Sequence, residues 1–165
     1  MEKVWLKSYP PGVPEEINPD QFASLNELAA WCCARYREHS AFSNQGATIS
    51  WGRLDTLSRN FAAWLQHGVG LHKGDRVALM LPNLLQYPVA LFGALRAGCT
   101  VVNVNPLYTP RELQSQLSDS GAVAIVVLAN FAHTFEQIQA HTPVRHVVTT
   151  QVGDMLHFPK GHIVN

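Results

Sequence analysis

Nothing in these 165 residues supports a disulfide framework, a membrane-spanning helix or a nucleic-acid surface. The only cysteines are Cys32, Cys33 and Cys99, two of them adjacent, so the chain is not a disulfide scaffold and a reducing cytoplasm is the expected compartment. Twelve Lys and Arg balance 12 Asp and Glu with no basic run of five, whereas phosphate-backbone binding needs clustered cations. Nucleic acid is therefore not expected as a partner. The longest apolar runs, over 89–95 and 122–129, fall far short of the ~20 residues a spanning helix needs, and the N-terminus lacks the apolar core of a signal peptide.

The common catalytic signatures are missing too. No Gly-x4-Gly-Lys-Ser/Thr loop occurs, and Gly68-x-Gly70-x-x-x-Gly74 is one residue too long for a dinucleotide fingerprint and follows a helix where that fingerprint follows a strand. It reads as a helix stop and turn. There is no Gly-x-Ser-x-Gly elbow, and Asp119-Ser120-Gly121 is explained by a helix end. Three of the histidine pairs, His67/His72, His141/His146 and His157/His162, share a five-residue offset that does not stack on one helical face, and Cys32-Cys33 is unlike a Cys-x-x-Cys zinc motif. No metal site is expected. Cys99 follows a helix-stopping glycine and reads as small apolar packing.

What is present is enough for one packed domain, with 47% hydrophobic content. Residues 1–20 carry Pro10, Pro11, Pro14 and Pro19 and read as an extended arm lying on the domain. Ser24 with Glu27 forms a capping box for a helix running to about His39, with Leu25, Leu28, Ala29, Cys32 and Tyr36 at helical spacing. Residues 41–43 and 48–50 read as a hairpin, and Ser50 caps a helix with Leu54, Leu57, Phe61, Trp64 and Leu65 inward, closed by Gly68. From Lys73 strands and helices alternate: strand 76–81, helix 84–97, strand 100–104, helix 109–121, strand 124–128, helix 131–141, strand 146–149. The fold class is thus α/β, a Rossmann-like parallel sheet flanked by helices with a small N-terminal β-hairpin. Gly98 should take left-handed backbone between a helix and a buried strand. The helix over 84–97 has Arg96 as its only charge, and with the apolar final strand over 146–149 it should need more cover than this chain gives, so an exposed apolar patch promoting self-association is expected at these two elements.

Ligands of open α/β sheets sit beyond strand C-termini, which draws attention to Asn103, Asn105 and Tyr108 in the loop ending the second strand. The plainer reading is Asn satisfying loop backbone and Tyr packing.

The stretch Leu95-Arg96-Ala97-Gly98 with Val101-Val102-Asn103-Val104-Asn105-Pro106 resembles the second core motif of the adenylate-forming superfamily of acyl-CoA synthetases, peptide-synthetase adenylation domains and luciferases. Thr48-Ile49-Ser50-Trp51-Gly52-Arg53-Leu54 approximates the first core motif, with Arg53 in place of the usual Glu. Val4-Trp5-Leu6, Glu16-Ile17-Asn18-Pro19-Asp20, Leu81-Pro82-Asn83-Leu84-Leu85-Gln86-Tyr87-Pro88 and Asn105-Pro106-Leu107-Tyr108-Thr109-Pro110-Arg111-Glu112-Leu113 are similar to bacterial long-chain fatty acid–CoA ligases. The resemblance implies a full enzyme that uses ATP, Mg²⁺ and coenzyme A to convert a long-chain fatty acid, through an acyl-adenylate, into acyl-CoA with AMP and pyrophosphate. The superfamily's Ser/Thr/Gly-rich phosphate loop, Gly-Tyr-Gly-type segment, Thr-Gly-Asp and C-terminal lysine have no counterpart here. Residues 21–165 are accordingly expected to be an incomplete N-terminal subdomain that ends before the ATP-phosphate loop, with no catalytic, cofactor-binding or metal residue to assign and no activity of its own. A substrate that partitions into lipid adds an expectation of contact with the inner face of the cytoplasmic membrane, and homo-oligomers are expected. Two alternatives stay open: another acid specificity within the superfamily, and a non-catalytic Rossmann-like docking module.

Overall fold

The computed structural model describes residues 2–164. The Ser24 hydroxyl accepts from Glu27 N at 3.2 Å and opens α1 (Leu25–Arg35). The helix stops at Arg35 and does not reach His39, because His39 N turns back onto Tyr36 O at 2.8 Å and delivers the chain into the hairpin. Its inner face also differs from the expected one. Ala29 and Cys33 are buried, whereas Leu25 is 62% and Tyr36 38% exposed, since a narrow stripe of small side chains is what lets α1 lie close on its neighbours. The hairpin pairs β1 (Ser40–Asn44) with β2 (Ala47–Ser50), and Gln45 and Gly46 between them both have positive φ, the two-residue turn that matches strand twist.

Ser50 then caps α2 (Trp51–Ala63), accepting from Arg53 N at 3.1 Å. The helix widens into a π turn over Trp64–Gly68. That widening leaves Trp64, expected inward, 45% exposed and stacked on Phe61, while Leu54 and Leu65 are buried.

The main sheet is parallel, with β3 (Arg76–Met80), β4 (Thr100–Asn103), β5 (Ala124–Leu128) and β6 (His146–Thr150) in the spatial order β4-β3-β5-β6. Strand alternation divides its core in two. Val77, Leu79, Ala124 and Val126 join one buried cluster with Ala90 and Ala94 of α3 (Gln86–Arg96) and Leu65. Ala78, Met80, Ile125 and Val127 join another with Leu113 and Leu117 of α4 (Pro110–Ser120). Thr109, Pro110 and Glu112 start α4 with a capping box, and Gly121 ends it at φ 63°. Gly98 lies at φ 82°, as its place between helix and strand requires.

Two expectations need correction here. Helix α3 is not an exposed apolar surface: every residue over 84–97 is buried or half-buried, because α1 and α2 return over the face that the sheet leaves open. The crossing is close, with Gly93 of α3 beside Phe61 and Ser58 of α2. The expected helix over 131–141 is likewise reduced to α5 (Ala132–Glu136) between single 3-10 turns, Ala129–Phe131 and Gln139–His141. Ile138 leaves helical backbone, at φ −123°, and is buried with Phe135 and Val144. After β6 a 3-10 turn (Val152–Met155) and α6 (Lys160–Val164) lie against the hairpin, where Lys160 Nζ donates to Gln45 O.

Candidate functional site

In the order β4-β3-β5-β6 the chain moves from β3 to one side and then crosses to the other, so the topological switch point lies between β3 and β5. The loops after these strands and after β4 form the strand-end surface where a ligand of such a sheet would sit. Their polar groups are engaged locally. The Tyr87 hydroxyl donates to Asn103 Oδ1 at 2.9 Å, and Gln116 Nε2 donates to Asn103 O at 2.9 Å. Asn105 Oδ1 accepts from Leu107 N at 3.0 Å, and its carbonyl accepts from Tyr108 N at 3.1 Å. The Tyr108 ring packs on the α4 side of the core. Asn44 Nδ2, from the hairpin, donates to Asn83 O at 2.9 Å beyond β3, and Gln86 Nε2 donates to Gln151 O at 2.7 Å beyond β6. Asn103, Asn105 and Tyr108 are thus brought to one rim, where they act as loop fasteners. A shallow depression beside them is lined by Tyr108, Glu112, Gln116 and Asp119 on the outer face of α4. Glu112 accepts from Thr109 N at 2.9 Å and from its hydroxyl at 2.7 Å, bonds that hold its carboxyl below the usual range.

No Lys or Arg occurs over 82–85, 104–108 or 129–131, so these loops offer no charge to a phosphate. Among the described residues no three His, Cys, Asp or Glu converge as a metal-binding group. Cys99 is buried at the start of β4, and burial, with Asp75 adding to it, pushes its thiol above the ordinary range.

The most strongly built polar cluster was only half visible in sequence. Arg96, the lone charge of α3, donates from Nη2 to Asp55 Oδ1 of α2 at 2.6 Å, with side chains only 14% and 19% exposed. Arg59 Nε reaches both Asp55 oxygens at 3.1 Å from one turn further along α2. Two side chains cap the end of α3: Asn26 Nδ2 donates to Leu95 O at 2.8 Å and Gln66 Nε2 to Ala97 O at 3.4 Å. The Cys33 thiol faces this pair, and burial first, then the Asp55 charge, raises it, with Arg96 acting the other way. A single Arg in an apolar helix was the available signal for a buried counter-charge; nothing in the spacing named Asp55.

The profile of the AMP-binding enzyme family, described as AMP-binding enzyme, matches residues 29–164. A long-chain-fatty-acid–CoA ligase of Yersinia pestis is 61% identical over all 165 residues, which span 29% of that relative. One of Bacillus subtilis (strain 168) is 36% identical over 96% of this chain and 28% of its own length. Among solved structures, a long-chain-fatty-acid–CoA ligase from Archaeoglobus fulgidus superposes with TM-score 0.73 at 23% identity, over 86% of this chain and 30% of that one. An anthranilate CoA ligase, AuaEII, in complex with anthranoyl-AMP does so with TM-score 0.74 at 19% identity, over 85% and 27%. These two share the fold. With the family profile covering most of its length, the chain belongs to the AMP-binding enzymes.

Proposed function

We propose that this chain is the N-terminal portion of a long-chain fatty acid–CoA ligase, and that its own part in the enzyme is structural. The observation carrying the reading is the 61% identity that runs over the whole chain to a ligase of that class. An aryl-acid specificity has weaker support: a 4-coumarate–CoA ligase of Oryza sativa subsp. japonica is 41% identical over 49% of the chain. In the proposed domain scheme residues 2–20 are an arm and the remainder is a scaffold for parts of the enzyme that lie outside this stretch.

The full reaction joins a fatty acid to coenzyme A at the expense of ATP, with Mg²⁺ as the expected counter-ion of the phosphates. The residues here do not by themselves fit a nucleotide-phosphate site, since the strand-end loops lack cations and Asn103 and Asn105 already have partners. No step of the chemistry is assigned to this chain. What its residues do is hold the parallel sheet, cap α3 and fasten the strand-end loops, giving a rigid base on which the acyl and nucleotide sites can be built. No helix among the described residues is long and apolar enough to cross a membrane. The proposed location is the cytoplasm, with peripheral contact to the inner membrane face where the fatty acid partitions, and the proposed assembly is a homo-oligomer. The test is ATP–pyrophosphate exchange dependent on a long-chain fatty acid. The chain alone should stay at the no-enzyme blank, and exchange above that blank would refute the structural role.

A further inference from the structure

We propose that the junction of three helices at the end of α3 is a binding site for a phosphate group, free or carried on a small monoester. It lies at the opposite end of the sheet from the strand-end rim. Helix α3 runs back against the parallel strands it joins, and Gly74 N, just before β3, donates to Gly98 O at 2.9 Å, so the helix ends beside the strands' starts. Around that end Asn26 of α1, Arg59, Ala62 and Ala63 of α2, Gln66 of the π turn and Arg96 of α3 line a cleft of about 420 Å³.

The cleft holds more cationic donors than it has anions to meet them. Arg59 and Arg96 share the single carboxylate of Asp55, two positive charges against one negative. Asp55 takes Arg96 Nη2 at 2.6 Å, and from Arg59 it takes Nε alone, at 3.1 Å to each oxygen. The Nη atoms of Arg59 meet no acceptor among the described residues, and that side chain is 63% exposed at the cleft. Arg96 Nε is buried without a hydrogen-bond partner. An under-compensated guanidinium in a half-buried place costs free energy, and a second anion on its outer Nη atoms relieves that cost through the field without having to reach Nε. Cys33, which faces the pair, supplies no such charge because burial raises its thiol. The carbonyls at a helix end would ordinarily repel an anion. Here Leu95 O already accepts from Asn26 Nδ2 and Ala97 O from Gln66 Nε2. One carboxylate is in place and leaves the two forks incompletely used. A phosphate carries more charge and presents oxygens in several directions, which suits guanidiniums arriving from two helices. The small side chains of Ala62 and Ala63 leave room beside it for a short substituent.

The site stands apart from the ligase reading and uses no catalytic readout, so its failure leaves that reading intact. Nuclear magnetic resonance of the isotope-labelled full chain tests it, because the side-chain Nε–H signals of Arg59 and Arg96 report on the cleft directly. Inorganic phosphate and glycerol 1-phosphate are titrated at constant ionic strength, with chloride and acetate as the comparison anions. The expected result is a saturable shift of both signals with a dissociation constant of about 1–10 mM for the phosphates and none for chloride or acetate. Arg59→Gln should weaken phosphate binding about tenfold, the loss of a charge-assisted hydrogen bond. Ala63→Leu should weaken it as well, by filling the cleft with both charges kept. Arg59 and Ala63 are both exposed, so each variant should unfold cooperatively on heating as the original chain does, and either one that folds decides the matter. Equal affinity for the two probes assigns the site to the phosphate group alone and tighter binding of glycerol 1-phosphate to a monoester, and both uphold it. The absence of a saturable shift up to about 50 mM phosphate would overturn the proposal, as would equal shifts with acetate or chloride, or an affinity unchanged in a folded variant.

Discussion

Replacing Gly93 by alanine sets two known effects against each other. Within an exposed helix the change would stabilise by about 1 kcal/mol, because glycine has the greater backbone freedom to lose. Here a Cβ would stand 2.6 Å from Phe61 Cδ1, 3.1 Å from Phe61 Cβ and 3.1 Å from Ser58 O. The ring edge can move, but the Ser58 carbonyl belongs to the α2 backbone and can yield only if the two helices separate. Overpacking of a tight contact costs about 1–3 kcal/mol, so the net for Gly93→Ala is a loss of about 1 kcal/mol, rising to about 3 for Gly93→Val. Urea unfolding reads both, with an unchanged slope showing that only stability has moved. Trimming the opposing ring should relieve the clash, so Phe61→Leu/Gly93→Ala should lose less than the two single changes predict together, with a coupling of about 0.5–1 kcal/mol. A Gly93→Ala chain as stable as the original, or more so, would show that helix propensity wins and that α2 and α3 are further apart than described.

The remaining predictions concern the polar cluster, the left-handed glycine and the thiols. Arg96→Met removes the 2.6 Å partner of Asp55 and should cost about 2–4 kcal/mol, tempered by Arg59, whereas Asp55→Leu/Arg96→Met should recover most of it; equal urea midpoints for both variants would refute the pairing argument. Gly98→Val forces a β-branched residue to φ 82° with Lys73 Cβ 3.3 Å from the new atom, and an urea midpoint unchanged from an expected loss of about 1–3 kcal/mol would refute the strain. In the folded chain a thiol reagent at neutral pH should modify Cys32 quickly and Cys33 and Cys99 slowly, all three reacting in denaturant. Because both slow thiols are raised in the fold, their contribution to stability holds below the ordinary thiol range and is lost as pH climbs through the raised values; stability that rose across that alkaline window would contradict the assignment.

Local chemistry made much of this architecture readable. Ser24, Ser50 and Thr109 each cap the helix that follows, and Gly98 and Gly121 turn where a left-handed residue is required, because such signals act within a few residues of one another. The misreadings arise from partners far apart in the chain. Helix α3 is apolar because α1 and α2, at least 20 residues earlier in sequence by way of the hairpin, return to cover it, as the contact of Gly93 with Phe61 shows. Ile138 leaves helical backbone and is buried in the cluster that also holds the distant Met80, Val104 and Ile125, a packing demand that helical periodicity does not record. The surface left open is on α1 and the arm, where Leu25 and Tyr36 share helical spacing with the buried Ala29 yet stand exposed. At the strand ends Asn103 and Asn105 were located by topology alone, and their hydrogen bonds favour the fastening role.

The account rests on this chain being able to serve as the N-terminal part of a long-chain fatty acid–CoA ligase, and a chimera tests that most directly. The stretch of the Yersinia pestis ligase that aligns with these 165 residues would be replaced by this chain, and formation of oleoyl-CoA from oleate, ATP and coenzyme A measured on the purified protein. The account predicts acyl-CoA formation comparable to the parent ligase. A chimera that folds and unfolds cooperatively but forms no acyl-CoA would contradict it.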